Sequence, residues 1–234
     1  MKNIRLFNEM SQYEATKDSF EYPTVSYTKD NGLVWYMTKP SLYEWVDLGL
    51  PSGLKWSAWN VGATKPEEFG LYFAWGETQG YTEPTDEKQF TLADYTLCDG
   101  TSKNMLKYNA TDGLTTLELV DDAAYATDNT CRMPTVDELM ELTANTTTAW
   151  TQVNGVSGMS FTSKVNGNSI FIPAAGSCYT GSIYRVGQEC YLWSSSLNES
   201  FPSYAFYLYF SSSYMDVGND CYRSDGYSLR HVLS

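Results

Sequence analysis

Few side chains in this sequence are suited to acid–base or nucleophilic chemistry. The chain has a single histidine, His231, so a Ser-His-Asp or Cys-His arrangement would have to use it. A histidine so close to the end of a chain is usually exposed or structural, and we expect no catalytic role for it. Neighbouring carboxylates such as Asp121 and Asp122 do not face each other, and this pair is expected to open a helix. The sequence therefore predicts a protein that is not an enzyme.

The cysteines and acidic residues do not predict a metal site or a cofactor site. The five cysteines are scattered along the chain, with no C-x-x-C spacing and no pattern typical of a disulfide framework. We expect at least three of the five to be small buried hydrophobic residues. The sequence also lacks a calcium-loop pattern and a glycine-rich phosphate loop, so no metal and no cofactor is predicted.

The charge balance excludes several classes of partner. The chain has 15 lysines and arginines against 28 aspartates and glutamates, a net charge of −13. A nucleic-acid-binding protein should carry a basic stripe, and an anionic membrane surface would repel this chain. No apolar run is long enough to span a membrane, and residues 1–20 lack the apolar region of a secretory signal. We expect no nucleic-acid partner, no membrane insertion and no export by the usual route.

The most distinctive feature of the sequence is its C-terminal stretch. Residues 191–230 hold seven tyrosines and ten serines but no lysine. Antibody loops use the same residue types, because tyrosine gives a rigid amphipathic contact and serine, glycine and asparagine give adaptable hydrogen bonds. An ordinary polar β-surface would usually carry Lys, Glu and Thr instead. The composition favours a binding surface, on which tyrosine substitutions should change the unfolding free energy by only about 0.5 kcal/mol.

The elements that would position this surface are predicted to be of the α+β class. Residues 46–63 read as two short strands around a Pro-Ser-Gly turn, and residues 168–176 as a buried strand. A helix is predicted over 136–144, with a capping box formed by Thr135 and Glu138 and an apolar face of Leu139 and Leu142, to which Met140 is a further candidate. Residues 77–130 read as a long irregular insertion. Four tryptophans are predicted to be core residues: Trp56, Trp59, Trp75 and Trp193.

The first forty residues differ from the rest and are predicted to form a separate segment, 1–40, before a domain at 41–234. A short helix is expected at 10–20, followed by a hairpin whose turn contains Asn31 and Gly32. An isolated hairpin is marginally stable in water, so this segment should dock on something. Packing on its own C-terminal domain and attachment to another protein both stay open.

Six stretches in order resemble a known domain family. They are VDLGLPSGLKWSAWNVGA (46–63), FGLYFAWGE (69–77), CRMPTVDELMEL (131–142), NGNSIFIPAAG (166–176), YLWSSS (191–196) and GYSLR (226–230). Together they resemble the Fibrobacter-type major paralogous domain of gut bacteria and their phages. That resemblance implies a C-type-lectin-like fold of the formylglycine-generating-enzyme type, with small antiparallel sheets and about two helices.

The same fold is used by the variable proteins of diversity-generating retroelements, whose C-terminal codons are rewritten at adenines. Every residue at the matching positions of this chain can arise from an adenine-mutated AAC or AAT codon. The resemblance implies that these positions form a ligand-binding surface: Phe201, Ser203, Tyr204, Tyr207, Tyr209, Ser211, Tyr214, Asp216, Gly218, Asn219, Asp220, Cys221, Tyr222, Ser224 and Asp225. We expect the five tyrosines among them to lie on one exposed face with Asp216, Asn219, Asp220 and Asp225. The residues between them are expected to anchor the core: Ala205, Leu208, Phe210, Val217 and Leu229.

The resemblance also implies a function and a location. The stretch YPTVSYTKDNG (22–32) is similar to virion-attachment segments of gut-phage surface proteins. The leading hypothesis is thus a phage adhesion protein on the virion surface, joined to other virion proteins through residues 1–40. It would bind a host cell-surface protein or glycan, and homo-oligomerisation stays open. One alternative is a cell-surface binding protein of a gut bacterium. Another is a formylglycine-generating-type enzyme, which is disfavoured because no matching cysteine motif surrounds Cys178, Cys190 or Cys221.

Overall fold

The structure, a computed structural model, describes residues 4–7, 24–28, 34–37, 43–102 and 104–233. Backbone contacts divide the chain into two units, Met1–Leu42 and Tyr43–Ser234. In the first unit, strands β1 (Ile4–Phe7), β2 (Thr24–Thr28) and β3 (Val34–Met37) form one sheet in that order. Strands β2 and β3 pair antiparallel, which confirms the two strands of the predicted hairpin. Strand β1, which was not predicted, pairs parallel with β2. The predicted hairpin turn and the predicted helix at 10–20 lie outside the described residues.

Within its described residues, the second unit contains two short α-helices and four small antiparallel sheets, which agrees with the expected α+β class and equally with a mostly-β domain. Its first sheet contains β4 (Trp45–Asp47), β5 (Lys55–Asn60) and the terminal strand β14 (Arg230–Leu233), in the order β14-β5-β4. The second is formed by β6 (Thr146–Val153), β7 (Val156–Ser163) and β8 (Ser169–Pro173). The third is the two-stranded pair β9 (Ser177–Tyr179) and β10 (Ser182–Tyr184), and the fourth contains β11 (Glu189–Leu197), β12 (Tyr204–Ser211) and β13 (Met215–Tyr222).

Both helices begin where the local sequence predicts. Helix α1 (Ala123–Thr127) is capped by Asp122, whose Oδ1 accepts hydrogen bonds from the backbone N–H groups of the first turn. Helix α2 (Val136–Asn145) begins with the predicted capping box, in which Thr135 and Glu138 each accept from the other's backbone N–H. Leu139 and Leu142 are fully buried, whereas Met140 is 45% exposed and does not belong to the apolar face.

The fourth sheet is packed on both faces. Leu192, Leu208 and Phe210 are buried in one apolar cluster together with the buried face of α2. Trp193 and Ala205, on the other face, belong to a second cluster with Trp75 and Leu229. Of the predicted anchors, Val217 is only partly buried, and of the predicted core tryptophans Trp59 is only partly buried. Because apolar residues on both faces hold this sheet, its backbone gives a rigid frame for the polar side chains between them.

The irregular segment 77–130 is ordered by buried polar contacts. The ammonium of Lys88, which is almost fully buried, lies 2.6 Å from Glu77 Oε2 and 3.3 Å from Asp94 Oδ1. The guanidinium of Arg223 donates to the backbone carbonyls of Lys107 and Tyr108 and lies 4.7 Å from the ring centroid of Trp75. The Lys88 contacts lie within the insertion, and those of Arg223 tie it to the residue that follows β13.

Candidate functional site

The C-terminal tyrosines are positioned by the register of the fourth sheet. Tyr191 of β11 pairs with Tyr209 of β12, and Trp193 pairs with Tyr207. Leu192 pairs with Leu208, one position along each strand. Since paired residues share a face and side chains alternate along a strand, the tyrosines lie on the face opposite Leu208. The expected alternation of tyrosines and core residues along β12 is therefore confirmed.

This face opens into a depression of about 510 Å³, which we call the tyrosine groove. Six of the residues that line it are tyrosines, two are polar and uncharged, and two carry opposite charges. The lining residues are Ser177, Tyr179, Tyr184, Arg185, Glu189, Tyr191, Tyr207, Tyr209, Tyr214 and Asn219. Such a volume falls within the range of small-molecule sites in proteins, and the groove can also receive one or two side chains of a larger ligand.

The β9–β10 hairpin forms one wall of the groove. Its two-residue turn is Thr180-Gly181, with φ angles of +46° and +75°, as a type I′ turn requires. Tyr179 and Tyr184 stack across the hairpin, with ring centroids 4.1 Å apart and an interplanar angle of 20°. Gly176, just before β9, lets the end of β10 come close, because a Cβ at position 176 would lie 2.0 Å from the carbonyl oxygen of Tyr184. A larger residue there would displace the wall.

The floor of the groove is continuous with the second apolar cluster. The ring of Tyr207 lies edge-on to Trp193, at 5.9 Å, and to Tyr227, at 5.2 Å. Tyr191 lies 5.0 Å from Tyr227 and 5.7 Å from Tyr207. Tyr227 is buried and stacks on Trp193 at 4.2 Å. Aromatic rings packed in this way keep the floor in one conformation, so that binding costs little side-chain entropy.

The hydroxyl groups of the groove are held as hydrogen-bond donors. Tyr191 donates to Glu189 Oε2 at 2.7 Å, and burial together with this carboxylate raises the pKa of Tyr191 well above its usual range. Burial likewise raises the pKa of Tyr207. At the rim, Tyr214 donates to Asp216 Oδ2 at 3.1 Å. These tyrosines stay protonated at neutral pH. The single O–H of Tyr191 and of Tyr214 is already donated within the protein, so these two oxygens can only accept from a ligand.

A half-buried carboxyl group lies behind the floor. Asp225 accepts a hydrogen bond from the Cys221 thiol at 3.4 Å and lies close enough to Tyr207 to raise the pKa of that hydroxyl. Burial raises the pKa of Asp225 to about 6. Within the described residues no lysine or arginine forms an ion pair with it. A carboxyl group without a cationic partner among these residues therefore lies near the groove residue Tyr207, although Asp225 itself does not line the groove.

The expectation that five tyrosines and four polar residues share one exposed face is wrong. Tyr207, Tyr209, Tyr214 and Asn219 line the groove, and the register places Asp216 opposite Tyr209 on that face. Three other predicted residues lie on the opposite face of the sheet, because they pair with, or alternate with, residues on the Leu208 side: Tyr204, Asp220 and Tyr222. On that face Tyr204 and Tyr222 pack edge-on at 4.7 Å, and Asp220 accepts a hydrogen bond from Asn198.

The remaining predicted residues are distributed around the sheet. Ser211 pairs with Glu189, and Cys221 pairs with Ala205, so both lie on the groove face. Gly218 is the extra residue of a bulge in β13, with φ +98°. Phe201, which is 61% exposed, and Ser203 line a second depression of about 460 Å³.

The prediction that Ser224 belongs to the ligand-binding surface is wrong, because its side chain is only 2% exposed. It lies between the buried Arg223 and the half-buried Asp225, where the chain passes into the core.

Six groove residues were not predicted from the sequence: Ser177, Tyr179, Tyr184, Arg185, Glu189 and Tyr191. The signal that would have found most of them is the stretch CYTGSIYRVGQECY (178–191). It places tyrosines around a Thr-Gly turn, ahead of the strand that begins at Glu189. A tyrosine-rich hairpin that precedes a tyrosine-rich sheet is a reason to expect that both contribute to one surface.

The described residues offer little for nucleophilic or metal chemistry. Cys131, Cys178 and Cys190 are buried, and burial raises the pKa of each thiol to about 12. With Cys98 also buried, the expectation of at least three buried cysteines is confirmed. No three His, Cys, Asp or Glu side chains cluster as metal ligands in the part of the chain that the structure describes.

His231 is a buried structural residue. Its Nε2 lies 2.8 Å from Thr127 Oγ1, and its ring centroid lies 3.8 Å from that of Tyr43. Burial lowers its pKa to about 3, so the ring is neutral at physiological pH. The expected structural role agrees with this burial.

Within the described ranges, no helix is long and apolar enough to cross a membrane.

Comparison of the chain with protein-family models, curated proteins and solved structures finds no match. The functional conclusion therefore depends on the groove and on the residues that line it.

Proposed function

We propose that this protein is a binding protein that attaches to a ligand on a bacterial cell surface through the tyrosine groove. The observation that carries the proposal is the groove itself, in which six tyrosines from four strands and a turn converge on one depression. Tyrosine is enriched at binding hot spots because it combines a large apolar area with a polar tip. A folded protein rarely leaves so many aromatic side chains together at its surface without a partner.

The resemblance to retroelement variable proteins supports a more specific proposal. In it, Tyr43–Ser234 is a C-type-lectin-like domain, and the chain is a phage adhesion protein that binds a host-cell receptor. Support comes from the six ordered motifs and from the small antiparallel sheets and two helices of this unit. Residues 1–40 would join the domain to the virion. The same groove would serve the alternative, a cell-surface binding protein of a gut bacterium. Incorporation of the chain into phage particles distinguishes a virion location from a bacterial cell-surface location.

Poor thiol nucleophiles support a binding role over catalysis of the formylglycine-generating type. That chemistry needs a reactive cysteine pair, and a thiol reacts mainly as the thiolate. The pKa of Cys221, the least buried thiol, is raised to about 11 by burial and by Asp225. At neutral pH such a thiol is almost entirely protonated.

The proposal is tested by adsorption of the purified full chain to a panel of gut bacterial isolates. Tyr209→Ser and Tyr214→Ser each remove a groove contact, and each should weaken adsorption by about 1–3 kcal/mol, roughly 5- to 150-fold. Tyr222→Ser is the matched control, because Tyr222 is an exposed tyrosine of the same sheet on the opposite face. Its adsorption should equal that of the wild type. Equal losses in all three variants, or no loss in the groove variants, would contradict the proposal.

A further inference from the structure

The charges that surround the tyrosine groove are mainly acidic. Its lining contains one carboxylate, Glu189, and one guanidinium, Arg185. Asp216 pairs with Tyr209 on the same face, and Asp225 lies near Tyr207, behind the residues that line the groove. Three carboxyl groups therefore accompany a single cation, in a chain whose net charge is −13. An anionic ligand such as a phosphorylated or carboxylated glycan would be repelled by this distribution.

Arg185 makes only a long and exposed ion-pair contact with Glu189. Its Nε lies 3.9 Å from Glu189 Oε1, and its side chain is 61% exposed, so the pair contributes little to stability. The Glu189 side chain is 20% exposed and is oriented by the Tyr191 hydroxyl at 2.7 Å. A carboxylate has about four acceptor positions, so Glu189 keeps capacity for a donor on a ligand. The carboxylate is thus held in place and still able to accept.

The aromatic rings around Glu189 favour the same kind of ligand. The face of a tyrosine ring attracts an ammonium or guanidinium group, and the attraction grows when the cation is desolvated. Here the stacked pair of Tyr179 and Tyr184 forms one wall, and Tyr209 lies 5.3 Å from Tyr191 on the other side. Rings on several sides of a carboxylate are a suitable environment for a side chain with an apolar stem and a cationic end.

We propose that the tyrosine groove recognises a lysine or arginine side chain on an exposed protein segment, with Glu189 as the residue that binds the cationic end. This inference rests on the proposed binding function and names the class of ligand, a basic peptide segment. The stem of the lysine or arginine packs between tyrosine rings, and its N–H groups donate to Glu189. Asp216 and Asp225 add to the negative potential of the groove.

The test uses a library of random heptapeptides displayed on filamentous phage and panned against the immobilised full chain. Two variants are panned in parallel. Glu189→Gln keeps the size and the acceptor oxygen but removes the charge. Glu83→Gln removes the same charge from an exposed position outside the groove and is the matched control. Thermal melting of each variant checks that it is folded.

Peptides enriched by the wild type and by Glu83→Gln should be rich in lysine or arginine, and those enriched by Glu189→Gln should not be. One enriched peptide is then titrated. We expect its dissociation constant to rise at least about tenfold with Glu189→Gln or with acetylated lysine in the peptide, because hydrogen bonds to charged groups are the stronger ones. Equal enrichment of basic peptides by both variants would show attraction to the net charge only and would overturn the inference. Failure to enrich any peptide, or enrichment of neutral ones, would overturn it as well.

Adsorption to bacterial cells separates this inference from the function on which it rests. If Tyr209→Ser weakens adsorption while Glu189→Gln and acetylation of cell-surface lysines leave it unchanged, the protein binds cells through the groove but does not recognise a cation. Periodate treatment of the cells then tests a neutral glycan as the ligand. If no tyrosine variant changes adsorption, the proposed function itself is wrong.

Discussion

Alanine substitutions along β12 and in the turn that follows it should lower the free energy of unfolding by graded amounts. The loss should be larger, the more deeply the substituted side chain is buried. Phe210 is fully buried and lies 6.0 Å from Phe161 and 6.4 Å from Trp150. Its truncation leaves a cavity and should lower the free energy of unfolding by about 3–5 kcal/mol. Tyr214 is 57% exposed, so its truncation should cost less than about 0.5 kcal/mol.

Tyr207 should fall between these limits. It makes edge-on contacts with Trp193 and Tyr227, each of which contributes about 0.5–1.5 kcal/mol beyond the area buried. With its partial burial, Tyr207→Ala should cost about 2–3 kcal/mol. The expectation that every tyrosine substitution leaves stability nearly unchanged therefore does not hold for the groove floor. A loss of binding in the Tyr207→Ala variant has to be expressed per folded molecule, because unfolding as well as the missing contact lowers the amount bound.

Equilibrium urea unfolding at pH 7.5, followed by tryptophan fluorescence, measures the series. The order of cost should be Phe210→Ala, Tyr207→Ala, Tyr209→Ala, Tyr214→Ala, from largest to smallest. For a chain of this size Phe210→Ala should lower the melting temperature by roughly 6–20 °C. A cost of Tyr214→Ala equal to that of Tyr207→Ala would refute this order, because the groove face would then be core.

Three further outcomes are expected from particular residues. The pKa of Asp225 is raised to about 6 in the folded protein, above its unfolded value, so its ionisation destabilises the fold as pH rises from about 4 to 6. Asp225→Asn should therefore have no effect on the unfolding free energy at pH 4 and should raise it by about 1–3 kcal/mol at pH 7.5; equal effects at both pH values would contradict this. In the native protein a disulfide reagent at pH 8 should modify Cys221 slowly and the four buried cysteines only after unfolding, and rapid reaction of several thiols would contradict their burial. Thr135→Ala should cost about 1 kcal/mol and Thr135→Ser much less, as measured by urea unfolding, because Thr135 caps α2; an unchanged midpoint for Thr135→Ala would show that the capping box does not stabilise the helix.

Local signals in the sequence predict the elements of the second unit well. The capping box of α2 and the strands around residues 46–63 depend on residues close together in the chain, and both are found as predicted. Alternation along β12 also places Leu208 and Tyr209 on opposite faces, as expected. These predictions succeed because side-chain period and capping chemistry act over a few residues.

Which residues line the groove depends on the register of the strands. It therefore could not be predicted from side-chain alternation and capping patterns alone. Tyr204 and Tyr209 look equivalent in sequence, yet they lie on different faces, since their positions in β12 differ by an odd number of residues. Ser224 resembles its variable neighbours but is buried where the chain turns into the core. The β9–β10 wall joins β12 only in three dimensions, because no short-range pattern connects Tyr179 with Tyr209.

The most direct measurement of the central claim is hydroxyl-radical footprinting of the full chain, free and bound to adsorbing bacterial cells. We expect Tyr179, Tyr209 and Tyr214 to lose reactivity on binding, because the ligand fills the tyrosine groove. Tyr222, on the opposite face of the same sheet, should keep its reactivity. Protection of Tyr222 with unchanged reactivity of the three groove tyrosines would contradict the account.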